Sequence, residues 1–157
     1  MRAYEIRRRV LGEQHGDYAV SMTEVGELRL AQGRHQEAAR LFADAESILV
    51  ARIGAESPLI PYATWGLGVA QLRLGDARAA RATLERTLAR FEELDLDPVR
   101  SSETRLALAD ATWRLGDRAR ARALVVGTAG PLAKLPAGTN KALRGKIDAW
   151  LASHRVR

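Results

Sequence analysis

The stretch LRLGDARAA at residues 72–80 occurs three times in related form, with LAQGRHQEA at 30–38 before it and WRLGDRARA at 113–121 after it. The glycines of the three copies are 42 and 41 residues apart, and an alanine follows each glycine five positions later. A fixed period of this length is typical of a solenoid, in which similar helix pairs stack on one another. The sequence therefore predicts an all-α fold made of antiparallel helix pairs.

Each copy predicts a sharp corner between two helices. Gly75 stands where the first helix ends, a position that often requires a positive φ angle, and glycine adopts this angle without a steric penalty. Ala80 lies one turn into the second helix, where its small side chain lets the two helices approach closely. The other two copies place Gly33 with Ala38 and Gly116 with Ala121 at the same positions.

The composition favours a helical core and excludes several kinds of site. Hydrophobic residues make up 46% of the 157-residue chain, only five prolines occur, and there is no cysteine. The chain therefore has no disulfide, no thiol nucleophile and no cysteine-bound metal. It contains no long apolar run and no apolar segment behind its first arginines, so we expect neither a membrane span nor a secretory signal. These features favour a cytoplasmic location.

The chain is strongly basic, with a net charge of +6, and all but three of its 25 basic residues are arginine. A basic chain can bind nucleic acid, anionic lipid or an acidic partner. The arginines are, however, scattered through the predicted helices and interleaved with glutamate and aspartate, which is typical of solvated helix faces. The pattern therefore disfavours nucleic-acid binding.

The first residues of the chain match the second helix of a repeat. Residues 2–12 align with residues 44–54, so that Ile6 matches Ile48 and Gly12 matches Gly54. We therefore expect the chain to start partway through a repeat and to lack the first helix of that repeat. The predicted units are a partial repeat at 1–16, repeats at 17–57 and 58–98, a degenerate repeat at 99–135, and a C-terminal capping helix at 136–157.

Local signals predict where individual helices begin and end. Ser57 followed by Pro58 predicts a helix start, because serine is a preferred N-cap and proline suits the first helical position. The first helix of the third repeat is expected to begin near residues 101–102. The second helix of that repeat is expected to end or kink near 127–131, where glycines and a proline interrupt it.

The repeats share further positions when they are aligned on the corner glycine. A large apolar residue followed by glycine or alanine occurs at 25–26, 67–68 and 108–109. This pattern resembles the tetratricopeptide repeat (TPR), and the 42-residue period is similar to the longer repeats of kinesin light chains. The resemblance covers about residues 1–130. It implies a right-handed α-solenoid that binds proteins in a concave groove lined by the first helix of each pair.

The resemblance assigns eight candidate partner-binding residues to the groove. They are Glu27, Tyr62, Trp65, Val69, Arg73, Asp110, Trp113 and Arg114. Tryptophan, tyrosine and arginine often dominate the binding energy of interfaces, and Arg73 or Arg114 would pair with acidic side chains of a partner. The alternative for Trp65 and Trp113 is packing between helices, as is usual for aromatic residues at helical spacing.

The sequence offers no convincing catalytic or metal-binding constellation. His15, His35 and His154 lie in different parts of the repeat pattern, and none is at metal-ligand spacing from another. The adjacent carboxylates Glu92 and Glu93 fit a solvated helix end better than an acid–base pair. We therefore expect no enzyme activity, no metal and no cofactor.

The favoured function is a non-enzymatic module that binds a peptide or helix of a partner protein in the groove. An alternative, also implied by the family resemblance, is a C-terminal regulatory or scaffolding segment of a larger bacterial serine/threonine kinase or transcription regulator. Tyr4, Ile6 and Val10 have no preceding helix to cover them, so we also expect self-association through the N-terminal end.

Overall fold

The protein is described here by a computed structural model that covers residues 2–136 and 138–155. These residues form nine helices and no strand. The helices are α1 (Arg2–Leu11), α2 (Gly16–Ala31), α3 (His35–Ile53), α4 (Ile60–Arg73), α5 (Ala77–Glu93), α6 (Pro98–Arg114), α7 (Arg118–Val126), α8 (Ala129–Ala133) and α9 (Lys141–Ser153). The chain is an α-solenoid in which α2 pairs with α3, α4 with α5, and α6 with α7.

The corners between paired helices have the predicted geometry. Gly33, Gly75 and Gly116 have φ angles of 75°, 90° and 93°. At the central corner, the amide of Gly75 donates to the carbonyl of Leu72 at 3.2 Å, and the amide of Asp76 donates to the carbonyl of Gln71 at 3.0 Å. These two bonds satisfy carbonyl groups that the end of α4 would otherwise leave unpaired.

The alanines that follow the corners lie in the buried interior of the helix pairs. Ala38, Ala80 and Ala121 are fully buried. In the second and third pairs the residue after the corner glycine also caps the next helix: Asp76 accepts from the amide of Ala79 at 2.9 Å, and Asp117 accepts from that of Arg120 at 3.2 Å. Each corner therefore ends one helix and starts the next within a few residues.

Two predicted helix starts are wrong. Ser57 is not an N-cap, because its hydroxyl accepts from the amide of Leu59 in a turn and α4 begins two residues after Pro58, at Ile60. The first helix of the third repeat starts at Pro98, three residues before the predicted position. Its cap is Asp97, whose carboxylate accepts from the amides of the second and third residues of α6 at 2.9 and 3.2 Å.

Phe42 fills the space between the first and second helix pairs. Its side chain is fully buried, and its ring lies directly against Gly26 of α2 and Gly66 of α4. The small residues Ala63 and Ala70 on α4 are also fully buried. Glycine and alanine on the first helices therefore make room for a large aromatic side chain from α3.

The third repeat is interrupted where the sequence predicts, between Val126 and Ala129, and α8 follows as a short helix. Helix α9 then packs on the third pair through the buried side chains of Leu143, Ile147 and Trp150. The indole Nε1 of Trp150 donates to Asp110 of α6 at 2.6 Å. Arg122 of α7 also donates to the carbonyl of Leu151, and Arg144 of α9 donates to that of Leu132 in α8. The last helix is thus tied to the end of the stack by apolar burial and by several hydrogen bonds.

The N-terminal helix α1 packs on α2. The hydroxyls of Tyr4 and Tyr18 are 2.8 Å apart, and the two rings lie 5.1 Å from each other. In contrast, Ile6 and Val10 on the same helix are 58% and 72% exposed. None of the helices in the described residues has the length and apolarity that crossing a membrane requires.

Candidate functional site

Helices α2, α4 and α6 lie side by side, and α4 contacts both of the others. We call the surface they share the α2–α4–α6 face. It carries two pockets. The first pocket, of about 400 Å³, is lined by Val20, Thr23, Glu24, Glu27, Leu49, Leu59 and Tyr62. The second pocket, of about 210 Å³, is lined by Trp65, Val69, Leu72, Arg73, Glu103, Leu106, Ala107, Asp110, Leu143 and Lys146.

The first pocket has an apolar lining and an acidic rim. Leu49 is buried at its base, and the ring of Tyr62 is fixed by an edge-to-face contact with Phe91 at 5.3 Å. Burial raises the pKa of the Tyr62 phenol, so the phenol is neutral at physiological pH. The charged side chains of the lining are those of Glu24 and Glu27. A pocket of this kind fits an apolar side chain that has a cationic neighbour.

The second pocket is smaller and more polar, and α9 forms one of its sides through Leu143 and Lys146. The indole of Trp65 is half-buried here, and its Nε1 is buried without a hydrogen-bond partner among the described residues. A buried donor without a hydrogen-bond partner is energetically costly. Burial also raises the pKa of the Glu103 carboxyl at this pocket.

Arg100, in the first turn of α6, connects the two pockets. Its guanidinium group lies over the ring of Trp65, with Cζ 3.9 Å from the ring centroid. The same group donates to Glu27 of α2 and to Glu103 of α6, each at 3.1 Å. Arg100 therefore crosses α4 and links the first helix pair to the third. We call this contact the Arg100 bridge.

Six of the eight candidate residues line a pocket. Glu27 and Tyr62 line the first pocket, and Trp65, Val69, Arg73 and Asp110 line the second. That any of them binds a partner stays a prediction. The structure does place them on one face, as expected from helical spacing.

The other two candidates contact their own chain outside the pockets. Trp113 is half-buried and meets Trp150 edge-to-face at 5.7 Å, while the guanidinium of Arg118 lies 5.4 Å from its ring centroid. Arg114 donates to the carbonyl of Leu72 at 3.1 Å and so joins the second and third pairs. These contacts agree with the alternative that the sequence left open for Trp113, packing between helices.

Sequence reasoning missed Arg100 because it placed the start of α6 too late. A helix that begins near residues 101–102 leaves Arg100 in a loop, where it has no assigned face. The signal was nevertheless present: Asp97 followed by Pro98 is a strong N-cap and first-turn combination. A helix starting there would have placed Arg100 on α6, beside Glu103.

The outer arginines lie close to carboxylates. Among the ion pairs of the described residues are Arg81–Glu85, Arg86–Glu46, Arg90–Glu56, Arg105–Glu92 and Arg120–Glu85. The basic excess is therefore interleaved with acidic groups, as the sequence indicated. Within residues 2–136 and 138–155, no cluster of three or more His, Asp or Glu residues is arranged to hold a metal ion.

Known protein families and structures match this chain. One family model of the tetratricopeptide repeat matches residues 1–49, and another matches residues 61–86 and 102–125. Together the matched segments include parts of all three helix pairs. No curated protein sequence matches the chain.

Solved structures with a similar fold are repeat proteins. BtubC (BKLC) from P. vanneervenii has a TM-score of 0.72 at 21% identity, over 83% of this chain and 52% of that chain. A Podosopora anserina protein with nearly identical TPR-like repeats of kinesin light chain type has a TM-score of 0.69 at 20% identity, over 84% of this chain and 63% of that chain. A variant of that protein gives a TM-score of 0.69 at 21% identity, with coverages of 88% and 68%.

The chain thus spans about half the length of BtubC and less than two thirds of the first Podosopora structure. At such low identities, these likenesses establish the fold alone. They agree with the sequence-based resemblance to kinesin light chain repeats.

Proposed function

Because the chain belongs to the tetratricopeptide repeat family, we propose that it is a non-enzymatic module that binds a segment of a partner protein. Proteins of this family are typically protein-interaction modules. The segment would lie along the α2–α4–α6 face, whose three helices are the first of each pair, as in the groove that the family resemblance implies. An extended peptide or a single helix has a suitable width for such a groove.

The observation that carries this proposal is the environment of Trp65. Its indole lines the second pocket, and the guanidinium of Arg100 that lies over its ring reaches Glu27 of the first pocket. Apolar side chains of the segment would occupy the two pockets, and one of them would pack against the exposed part of the Trp65 indole. Arg73 is exposed at the second pocket and would pair with an acidic side chain of the partner.

Selection of peptides from a displayed random library tests this function. Peptides of about twelve residues, long enough to cross three helices, are selected against the chain and then measured individually by titration. We expect the selected peptides to lose at least about tenfold in affinity for Trp65→Ala and for Val69→Arg, since both variants alter the second pocket. Ala82→Arg on the exposed side of α5 is the matched control and should bind normally.

Circular dichroism of each variant separates a lost contact from a lost fold. If the selected peptides bind the Val69→Arg and Ala82→Arg variants equally well, the α2–α4–α6 face is not the binding surface and the proposal is wrong.

Self-association is a second proposed property of the isolated chain. Ile6 and Val10 expose aliphatic surface on α1, and Leu11 beside them is 41% exposed. Neighbouring exposed aliphatic side chains on one helix favour contact with another apolar surface. A second copy of the chain would supply such a surface.

A further inference from the structure

Arg100 occupies a position whose surroundings would also favour a cation of a partner. The guanidinium of Arg100 stacks on the Trp65 ring and donates to Glu27 and Glu103. An aromatic face combined with carboxylates is a favourable environment for any guanidinium or ammonium group. The α2–α4–α6 face thus holds a cation-binding arrangement that an arginine of the chain itself occupies.

The carboxylates of the first pocket are suited to an external cation. Glu27 is 41% exposed at its pair with Arg100, and Glu24 is 66% exposed on the same helix. Glu24 has a weak contact with Arg7 at 3.9 Å. Arg100 is only 21% exposed, but it keeps Glu103 and the Trp65 ring as partners when Glu27 turns to another cation, so the exchange costs little.

The rest of the first pocket is apolar. Val20, Leu49 and Leu59 line it together with the neutral ring of Tyr62, and its volume of about 400 Å³ accommodates one large aliphatic side chain. Its charged lining groups, Glu24 and Glu27, are both acidic. The pocket therefore combines apolar burial with negative charge at the rim, and this combination disfavours an acidic partner segment at this position.

From this complementarity, we infer that the first pocket binds a partner segment in which a large aliphatic side chain is followed by arginine or lysine. The aliphatic side chain enters the pocket, and the cation pairs with Glu24 and Glu27 in competition with Arg100. This inference rests on the proposed function, since it names the chemistry of a segment bound to the same face.

Three end-blocked peptides that share an alanine- and glutamine-rich frame test the inference. They differ in one central pair: leucine–arginine, leucine–glutamate or serine–arginine. Binding to the full chain is measured by isothermal titration at low ionic strength. We expect the leucine–arginine peptide to bind at least about fivefold more tightly than either of the others, since each of them lacks one half of the recognition. Equal affinities, or no binding of the leucine–arginine peptide, would overturn the inference.

Variants of the bridge give effects of opposite sign. Glu27→Gln should lower the affinity for the leucine–arginine peptide by about threefold or more, because the arginine of the peptide loses a carboxylate partner. Arg100→Gln should raise the affinity for the same peptide by a similar factor, because the arginine that competes for Glu27 is gone. If Arg100 only shaped the face, Arg100→Gln would weaken binding instead, and that result would also overturn the inference.

Matched controls come from an ion pair outside the face. Arg86 of α5 and Glu46 of α3 also form an inter-helix pair, at 3.5 Å. Glu46→Gln and Arg86→Gln should leave the affinity of the leucine–arginine peptide unchanged. The peptides selected from the random library decide the proposed function independently: if they bind the face without preferring basic residues, that function stands and the inference alone fails.

Discussion

The ring of Phe42 occupies the space where a side chain of Gly66 would project. A Cβ atom built on Gly66 would overlap the ring atoms Cε1 and Cζ of Phe42, and one built on Gly26 would lie 2.8 Å from the same atoms. Phe42 is fully buried, so its ring has no solvent to move into. One aromatic side chain thus fixes the separation of the first two helix pairs.

We therefore expect Gly66→Ala to destabilise the chain by about 1–3 kcal/mol through overpacking, despite the higher helix propensity of alanine. The matched control is Gly145→Ala in α9, where an added Cβ has no atom within 4 Å. That variant should be neutral or stabilising by up to about 1 kcal/mol. Thermal melts followed by circular dichroism measure both, and equal midpoints for the two variants would contradict this account of the packing.

The central corner gives a second stability prediction. Gly75→Val should destabilise the fold by about 1–2 kcal/mol or more, because a β-branched residue is strained at a φ angle of 90°. Gly75→Asn should cost less, since asparagine tolerates positive φ better. No atom lies within 4 Å of a Cβ at this position, so crowding does not contribute. Urea unfolding ranks the variants, and similar losses for valine and asparagine would argue against backbone strain.

Ala80→Leu tests the other half of the corner. The alanine is fully buried between α4 and α5, so a larger side chain should destabilise by about 1–3 kcal/mol. Ala82→Leu, exposed on the same helix, is the control and should leave the melting temperature nearly unchanged. An unchanged melting temperature for the buried variant would show that the pair is not tightly packed there.

Alkaline pH should weaken the contact between α1 and α2. Burial, together with the hydrogen bond to Tyr4, raises the pKa of Tyr18 to about 12 from the ordinary value near 10. Between these values the folded chain keeps the proton while the unfolded chain releases it, so this stabilisation is complete below about pH 10 and is lost as the pH rises to about 12. Urea unfolding across this range should therefore show a steeper loss for the native chain than for Tyr18→Phe, and parallel profiles would contradict the assignment.

The contact between Trp113 and Trp150 contributes to the attachment of α9. Trp113→Ala removes the edge-to-face partner of Trp150, so α9 should exchange its amide hydrogens faster. Amides of α2 and α3 should be nearly unaffected, because each unit of a solenoid contacts mainly its neighbours. Hydrogen exchange followed by mass spectrometry distinguishes these regions, and uniform acceleration along the chain would show that Trp113 instead supports the whole fold.

Self-association should depend on the exposed side chains of α1. Light scattering over a concentration series should detect oligomers of the native chain, and Val10→Arg should shift them toward monomer. Val126→Arg is the control, because Val126 is similarly exposed, at 60%, but lies on α7. A chain that stays monomeric at every concentration would show that α1 does not mediate association.

Sequence reasoning recovered the features that depend on local chemistry. The positive φ angle at each corner requires glycine, and the close packing of the helices after it requires alanine. Both residues recur at a fixed spacing, so the sequence shows them directly. The interruption of the third repeat after Val126 is likewise predicted by the glycines and the proline of residues 127–131. These elements are encoded by residues that are near one another in the chain.

The features that sequence reasoning missed depend on contacts between residues that are far apart in the chain. Arg100 and Glu27 are 73 positions apart, and their pairing needs α6 to start at Pro98 and α4 to hold Trp65 between them. Similarly, the sequence predicts a C-terminal capping helix at 136–157 but does not place Lys146 beside the second pocket. Neither arrangement has a signature at a fixed sequence spacing.

The bridge between Arg100 and Glu27 has a mechanical consequence. In a solenoid, stiffness against bending normally comes from contacts between adjacent units. A link from the first unit to the third acts on the curvature itself, because straightening or flexing the stack changes the distance that the link must span. The Arg100 bridge therefore behaves as a tether across the α2–α4–α6 face, and a ligand cation that releases it would soften the stack as it binds.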